Sequence, residues 1–443
     1  MSTLRIMDVI IDKRDGKELN REQIDRLVDG AVQGSIPDYQ LSAWLMAVFL
    51  QGMSRQEVFW LTDAMVRSGD RVDLSPIPGI KVDKHITGGV GDKTTLICGP
   101  IAAACGVPVA KMSGRGLGYT GGTIDKLEAI PGMRTSLSQA EFIQTIREIG
   151  LSIIGQSDLL AAADKKLYPL RDVTGTVESI PLIASSIMSK KIASGADAIL
   201  LDVKTGKGAF MHSLDLSIQL AQLMVEIGEY AGKKTLALVT AMDEPLGYAI
   251  GNTLEVIEAV ETLDGRGPRD LEKICLELAA NMLFLAEKAD DLSKCRDLAT
   301  ESLHDGSALA CFLRLVQMQG GDVSYLTNLN QFPVAPIVQP ILAEYAGYVQ
   351  AVDAMAIGNA SVLLGAGRQT KDDPVDHRAG LIIRKKTGDQ VKAGDVLAEL
   401  HTASVEQLGE AQPICLRAFR IGTVPPPEAK HIRARVDTDG ITK

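Results

Sequence analysis

The chain has 443 residues, room for two or three domains around large cores. Apolar residues make up 46% but aromatics only 4%, so those cores must be mostly Leu, Ile, Val, Ala and Met. A net charge of −10 disfavours general binding to nucleic acid or anionic membrane, and an anionic ligand must be held by a local cluster of cations and amides.

The N-terminal stretch MSTLRIMDVIIDKRDG is too charged for a signal peptide, and no apolar run approaches the ~18 residues of a membrane span. The six cysteines lie far apart without C-x-x-C spacing, which predicts reduced, buried thiols and no zinc or redox site. Together these features predict a soluble cytoplasmic protein.

Residues 1–70 read as all-helical. Asn20 and Gln23 form a capping-box pattern before a helix ending near Gly34. Pro37 suits the first turn of a second helix that stops at Gly52, and Ser54 with Glu57 opens a third. These short helices are compatible with packing on each other or across a dimer interface.

From about residue 79 the period changes. Short β-branched segments at 79–85, 107–112, 151–155, 197–203 and 233–241 alternate with helical patterns at 94–105, 123–130, 139–149, 179–194 and 214–231. Such alternation predicts a parallel sheet with right-handed crossovers, whose ligands sit beyond the C-terminal ends of the strands.

Residues 161–194 interrupt the sheet as a loop and a helix, which can complete the helical domain and face the sheet across a cleft. Helices at 253–264, 268–286 and 297–317 and a loop-like 320–340 close an α/β domain of about 75–330. A β-rich α+β domain comes next at 345–443, centred on GLIIRKKTGDQVKAGDVLAELH, which resembles the hammerhead-like half of a lipoyl domain. The PPPEAK run at 425–430 and the residues after it read as a surface tail.

Three glycine-rich stretches, KHITGGVGDK, SGRGLGYTGG and DVKTGKGAF, each begin at a predicted strand end. GLGYTG fits G-x-G-x-x-G, but a dinucleotide site needs an acidic residue ending a strand roughly 20 residues on. The candidate, Glu141, falls instead in a capping box begun by Ser138. Amides, hydroxyls from Ser113, Thr120 and Thr123, and the flanking Lys111 and Arg115 suit an inorganic anion. In the second loop Lys84 and His85 end a strand just before Gly88 and Gly89, with Thr94 and Thr95 opening the next helix. A lysine or histidine alone would be ordinary surface or packing; this pair, facing another glycine loop, points to function. Ser186 and Lys190 are four residues apart and share a helix face. With Arg171 and Tyr168 they suit a planar ligand bearing carbonyl oxygens.

These stretches together resemble the thymidine and pyrimidine-nucleoside phosphorylases. The likeness is carried by VDKHITGGVGDKTTL (82–96), SGRGLGYTGGTIDKLEAIPG (113–132), KKLYPLRDVTGTVESIPLIASSIMSKKIASGADAILLDVKTGKGAF (165–210), PLGYAIGNTLEVIEA (245–259) and LLGAGR (363–368). It implies a small all-helical domain facing a mostly parallel α/β domain across a cleft, plus a β-rich C-terminal domain. Anthranilate phosphoribosyltransferase shares the fold but lacks that last domain.

The implied reaction is reversible phosphorolysis of pyrimidine nucleosides (uridine, thymidine, deoxyuridine) in a homodimer joined through the N-terminal helices. No organic cofactor is implied. Phosphate would be held by Lys84, His85, Ile86, Thr95, Lys111, Met112, Ser113 and Thr123, and the base by Tyr168, Arg171, Ser186 and Lys190. His85, Arg171 and Lys190 would act on the departing base.

Three positions depart from the family pattern. Ile86 replaces a serine, Tyr119 a histidine, and Lys93 the threonine of potassium-using members. Those members bind the ion at positions matching Gly91, Leu246, Ala249 and Glu258. The Lys93 ammonium either takes the cation's place beside Glu258, or turns outward and leaves a metal to bind through the backbone. Strict thymidine phosphorylase, a non-catalytic binder and a phosphoribosyltransferase are the competing readings. Lys111 resembles the broad-specificity enzymes, and the C-terminal domain argues against the transferase.

Overall fold

Both predicted N-terminal capping boxes form in the computed structural model, which describes residues 5–116, 118–156, 160–370 and 373–443. Helices α1 (Ile6–Arg14), α2 (Arg21–Gln33), α3 (Asp38–Gln51) and α4 (Arg55–Arg67) make up the helical domain. Asn20 and Ser54 cap α2 and α4 reciprocally with Gln23 and Glu57, and Gly34 ends α2 in the left-handed conformation. Ile24, Leu27, Val28, Leu41, Trp44, Leu45 and Leu61 fill its core.

The next elements alternate as predicted: β1 (Val82–Ile86), α5 (Thr94–Ala104), β2 (Val109–Ser113), α6 (Thr123–Glu128), α7 (Gln139–Ile149) and β3 (Leu151–Gly155). The chain then returns to the helical domain. Where a loop was expected after residue 161, helix α8 (Ala162–Thr174) forms, followed by α9 (Ile180–Ala193). Pro169 inside α8 hid it, because an interior proline reads as a helix breaker. Ala163, Leu167 and Arg171, one turn apart, are buried, and the first two join the N-terminal helical core. That burial sustains the helix through the proline.

The sheet resumes with β4 (Ala198–Thr205), α10 (Leu214–Tyr230) and β5 (Lys234–Ala241). Next come β6 (Ala249–Ile250), α11 (Asn252–Leu263), α12 (Arg269–Leu285), α13 (Leu292–His304), α14 (Ser307–Met318) and the short α15 (Ser324–Thr327). The single helix expected at 297–317 is thus two, broken at Gly306, whose φ of +82° ends α13.

The C-terminal region contains β7 (Ile337–Leu342), β8 (Gly347–Val352), α16 (Ala354–Leu363), β9 (Gly380–Ile383), β10 (Gln390–Val391), β11 (Val396–Thr402), α17 (Val405–Ala418) and β12 (Phe419–Gly422). They build two small sheets, ordered β10-β8-β12 and β6-β9-β11-β7. This domain starts before residue 345: β7 lies in a stretch expected to be loop, and Pro340 is tolerated because β7 is an edge strand. Within GLIIRKKTGDQVKAGDVLAELH, β9 and β11 pair with each other while β10 pairs with β8 of the other sheet.

The expected tail is also corrected. Residues after the PPPEAK run form β13 (Ile432–Asp437) and β14 (Gly440–Thr442), with Ala434 and Val436 buried. They extend the central sheet, whose order is β14-β13-β5-β4-β1-β2-β3. The five strands β3, β2, β1, β4 and β5 are mutually parallel, and β13 adds antiparallel to β5. All six cysteines are free, and all but Cys105 are buried. Among the described residues, no helix is long and apolar enough to cross a membrane.

Candidate active site

Strand β1 delivers neighbouring side chains to opposite faces of the sheet. Lys84 and Ile86 point to the face that packs α5, and Asp83 and His85 to the face that packs α9; Ile86 lies in register with Asp202 of β4. Lys84 is fully buried, and its Nζ donates to Thr94 Oγ1 at 2.5 Å and lies 3.5 Å from Asp202. Lys204 lies 2.9 Å from both Asp202 and Asp92, so two lysines and two aspartates form a balanced buried network beneath the second glycine loop. Asp92 is held well below the ordinary carboxylate range: burial opposes this, but Lys204 and Lys84 outweigh it.

The opposite face carries a second cluster. Asp83 accepts from Lys191 Nζ at 2.8 Å and lies 3.6 Å from Lys111 Nζ. Lys191 and Lys111 both donate to the Met112 carbonyl, at 2.9 and 3.3 Å. The Met112 carbonyl thus ties Lys111 of β2 to Lys191 of α9, and both the Lys111 and Met112 side chains are buried. The Lys190-Lys191 pair, which alone would read as a solvated helix end, is divided: Lys191 pins α9 to the sheet, and Lys190 pairs with Asp164 of α8. Burial first, and then Lys191, Lys111, Lys190 and Lys84, push His85 well below its ordinary value, so it is a neutral imidazole near pH 7. Of these lysines, two come from strands β1 and β2 and two from α9.

Thr95 comes after Thr94 in the first turn of α5, Ser113 ends β2, and Thr123 opens α6. The loop before α6 is fixed by Asp125, whose carboxylate accepts from the Gly116 amide at 2.7 Å and from Arg368 at 2.9 Å. The Gly118 amide donates to the Arg368 carbonyl at 3.0 Å. LLGAGR of the C-terminal domain therefore positions the predicted anion loop, of which Leu117 lies outside the described residues. The Ser138–Glu141 capping box forms, so Glu141 is not a ribose partner.

The predicted base-side residues meet on α8 and α9. Lys190 Nζ donates to Asp164 at 2.7 Å and to Ser186 Oγ at 3.3 Å, and Ser186 Oγ donates to the same Asp164 oxygen at 3.0 Å. The half-exposed Tyr168 ring has the Arg171 guanidinium at 5.8 Å and the Lys190 ammonium at 5.9 Å from its centroid. Arg171 is buried and donates to the carbonyls of Thr176, Val177 and Leu182 at 3.4, 2.6 and 3.2 Å. Three of its five N–H groups are thus spent on backbone carbonyls. Asp164 was missed in the sequence because its segment read as loop. As a helix, the spacing of Asp164, Tyr168 and Arg171 aligns them on one face.

The residues expected to hold potassium do converge, but around Lys93. Its Nζ donates to the carbonyls of Leu246 at 3.1 Å and Ala249 at 2.8 Å and to Glu258 Oε2 at 2.5 Å. Gly91 sits against the same carbonyls: a Cβ there would meet Leu246 O at 2.6 Å. The oxygens a potassium ion would take are occupied, so these residues do not fit a bound ion.

Lys111 supplies a pH test. Burial first, then Lys191, lowers its pKa from 10.5 to about 7. Between those values the unfolded chain binds more protons than the folded one, so this group makes stability rise with pH; below about 7 its burial cost is fully present. Lys111→Met is expected to raise the melting temperature most at pH 6, with the gain shrinking toward pH 10. Melts of both proteins across that range check it, and a pH-independent difference would refute it.

A sequence model of the "Glycosyl transferase family, a/b domain" matches residues 79–309, and one of its helical bundle domain matches 7–69. A "Pyrimidine nucleoside phosphorylase C-terminal domain" matches 348–422, ending where β12 ends. The chain is 51% identical over 422 residues to the pyrimidine-nucleoside phosphorylase of Geobacillus stearothermophilus, covering 95% of this chain and 97% of that one. It is 54% identical to the enzyme of that name from Bacillus subtilis, over 90% of this chain and 92% of the other. Anthranilate phosphoribosyltransferase from Thermus thermophilus superposes with a TM-score of 0.59 at 20% identity, covering 71% of this chain and 99% of that one, a likeness of fold. The matched helical bundle and a/b domains together define a glycosyltransferase, and the chain belongs to the pyrimidine-nucleoside phosphorylase family within that class.

Proposed function

We propose that the chain catalyses reversible phosphorolysis of pyrimidine nucleosides to free base and pentose 1-phosphate. The observation that supports this is the Lys191–Asp83 bond at 2.8 Å, which ties α9, carrying Ser186 and Lys190, to β1, carrying Lys84 and His85. We read the β1 end with its glycine loop as the phosphate half-site and Arg171, Ser186 and Lys190 as the base half-site.

In this reading phosphate occupies the loops near Lys84, Thr95, Ser113 and Thr123, and the pyrimidine stacks near Tyr168. Cleaving the C1′–N1 bond leaves positive charge on the sugar and negative charge on the base. Lys190 and the Arg171 guanidinium meet that negative charge where it develops. His85, held neutral, supplies an N–H toward O2 without adding a charge. Phosphate attacks C1′ from the opposite face, inverting the anomeric centre, and holding the substrates on separate half-sites requires domain closure for reaction.

Incubating the chain with uridine or thymidine, with and without phosphate, tests the proposal: base should appear only with phosphate. Comparing the two substrates separates broad from strict thymidine specificity, and Lys111 favours the broad reading. Binding without base release would instead identify a nucleoside-binding homologue.

Ile86 lies on the Lys84 face of β1 and brings no polar group to it. Ile86→Ser is expected to tighten phosphate binding by about 0.5–1.5 kcal/mol, the worth of one added hydrogen bond. An unchanged or higher phosphate KM would mean that residue 86 points away from the anion.

A homodimer is part of the same reading. The exposed Tyr39, Phe49 and Leu50 of α3 and Met7 of α1 lie on the domain expected to pair. Sedimentation as a monomer at micromolar concentration would remove that part.

A further inference from the structure

We infer that Lys93 is a tethered monovalent cation: its ammonium permanently fills a site that ties the second glycine loop to α11, making the protein indifferent to potassium. The coordination supports this directly. An ammonium has three N–H donors, and Lys93 spends them on three oxygens, two carbonyls and one carboxylate. Its side chain is 0% exposed, and that of Glu258 is 7%.

The surrounding backbone is wrapped around this pair. Glu258 Oε1 accepts from the amides of Tyr248 at 2.9 Å and Ala249 at 3.1 Å. Gly247, at φ +68°, passes so close that a Cβ would meet Glu258 Oε2 at 2.3 Å. The Leu246 amide donates to the Val90 carbonyl at 3.1 Å, joining this loop to Gly88–Gly91. Thr94, which receives the Lys84 hydrogen bond, is the next residue after Lys93. The cation position therefore braces the loop that carries the predicted phosphate contacts.

Charge balance excludes a second cation. One turn before Glu258 on α11, Glu255 pairs with Lys126 at 2.9 Å, and Lys126 also donates to the Asp92 carbonyl at 2.6 Å. Two buried glutamates face two buried lysines, so an added potassium ion would be an uncompensated buried charge.

The test compares potassium chloride with tetramethylammonium chloride at equal ionic strength, by thermal melting and by phosphorolysis rate. The melting arm stands without the proposed activity; the rate arm rests on it. The unmodified protein is expected to give the same melting temperature and rate in both salts. Lys93→Thr should melt lower and turn over about tenfold more slowly in tetramethylammonium, and potassium should restore both saturably. Lys93→Thr/Glu258→Gln, lacking both charges, should fold in either salt and show no potassium response. A potassium-specific rise in the unmodified protein overturns the inference. So does a Lys93→Thr protein that responds equally to the two salts or folds in neither.

Discussion

Lys190→Ala is expected to lower kcat by at least ~100-fold, with the phosphate KM little changed. In the proposed site the ammonium is the base-side cation: its side chain is 25% exposed, and it is held by Asp164 and Ser186 rather than by backbone carbonyls. Charge that develops on a departing pyrimidine would lose its compensation in a cleft where water screens poorly. Asp164 would also lose a partner, so the rate must be measured well below the melting temperature. Lys190→Arg, which keeps the charge, should recover part of the loss. Turnover within threefold of the unmodified enzyme would remove Lys190 from the base site, and a loss confined to phosphate KM would move it to the other half-site.

Arg171→Ala is expected to cost at least ~100-fold in rate and to destabilise the fold as well. Removing its guanidinium leaves the Thr176, Val177 and Leu182 carbonyls without that donor, each costing about 1–3 kcal/mol if no water replaces it. The turn between α8 and α9 would loosen, and Ser186 and Lys190 would lose their fixed spacing from Tyr168. Arg171→Lys should rescue little, because an ammonium cannot reproduce the planar fork that joins the three carbonyls. Normal turnover with a lowered melting temperature would mean that Arg171 is purely structural.

Much of this site is legible in the sequence. Strand–helix alternation identifies the parallel sheet, and glycines after β1 and β2 mark where an anion can approach the backbone. Alternation along Val-Asp-Lys-His also implies that Asp83 and His85 share a face, though nothing local says that Asp83 receives two lysines. Contacts distant in sequence are the hidden part. Lys191 meets Asp83 across 108 residues, and Arg368 reaches Asp125 across 243. The missed helix α8 has a different cause. Pro169 opposes helix locally, and only packing against α2 and α3, invisible along the chain, overrides it. The last strands were missed for a similar reason: a proline run masks a short alternating segment whose partner, β5, lies far upstream.

That last pairing has a consequence for how the protein is made. The sheet edge along Lys234–Ala241 leaves the ribosome about 190 residues before Ile432–Asp437, the strand that covers it. At about 5–20 residues per second, a row of unpaired amides and carbonyls waits about 10–40 s during synthesis for its partner. An edge of this kind is a template for pairing with any other nascent strand. The hazardous interval is set by helices α11–α15 together with the C-terminal domain, whose translation separates the two strands, and β13 ends it.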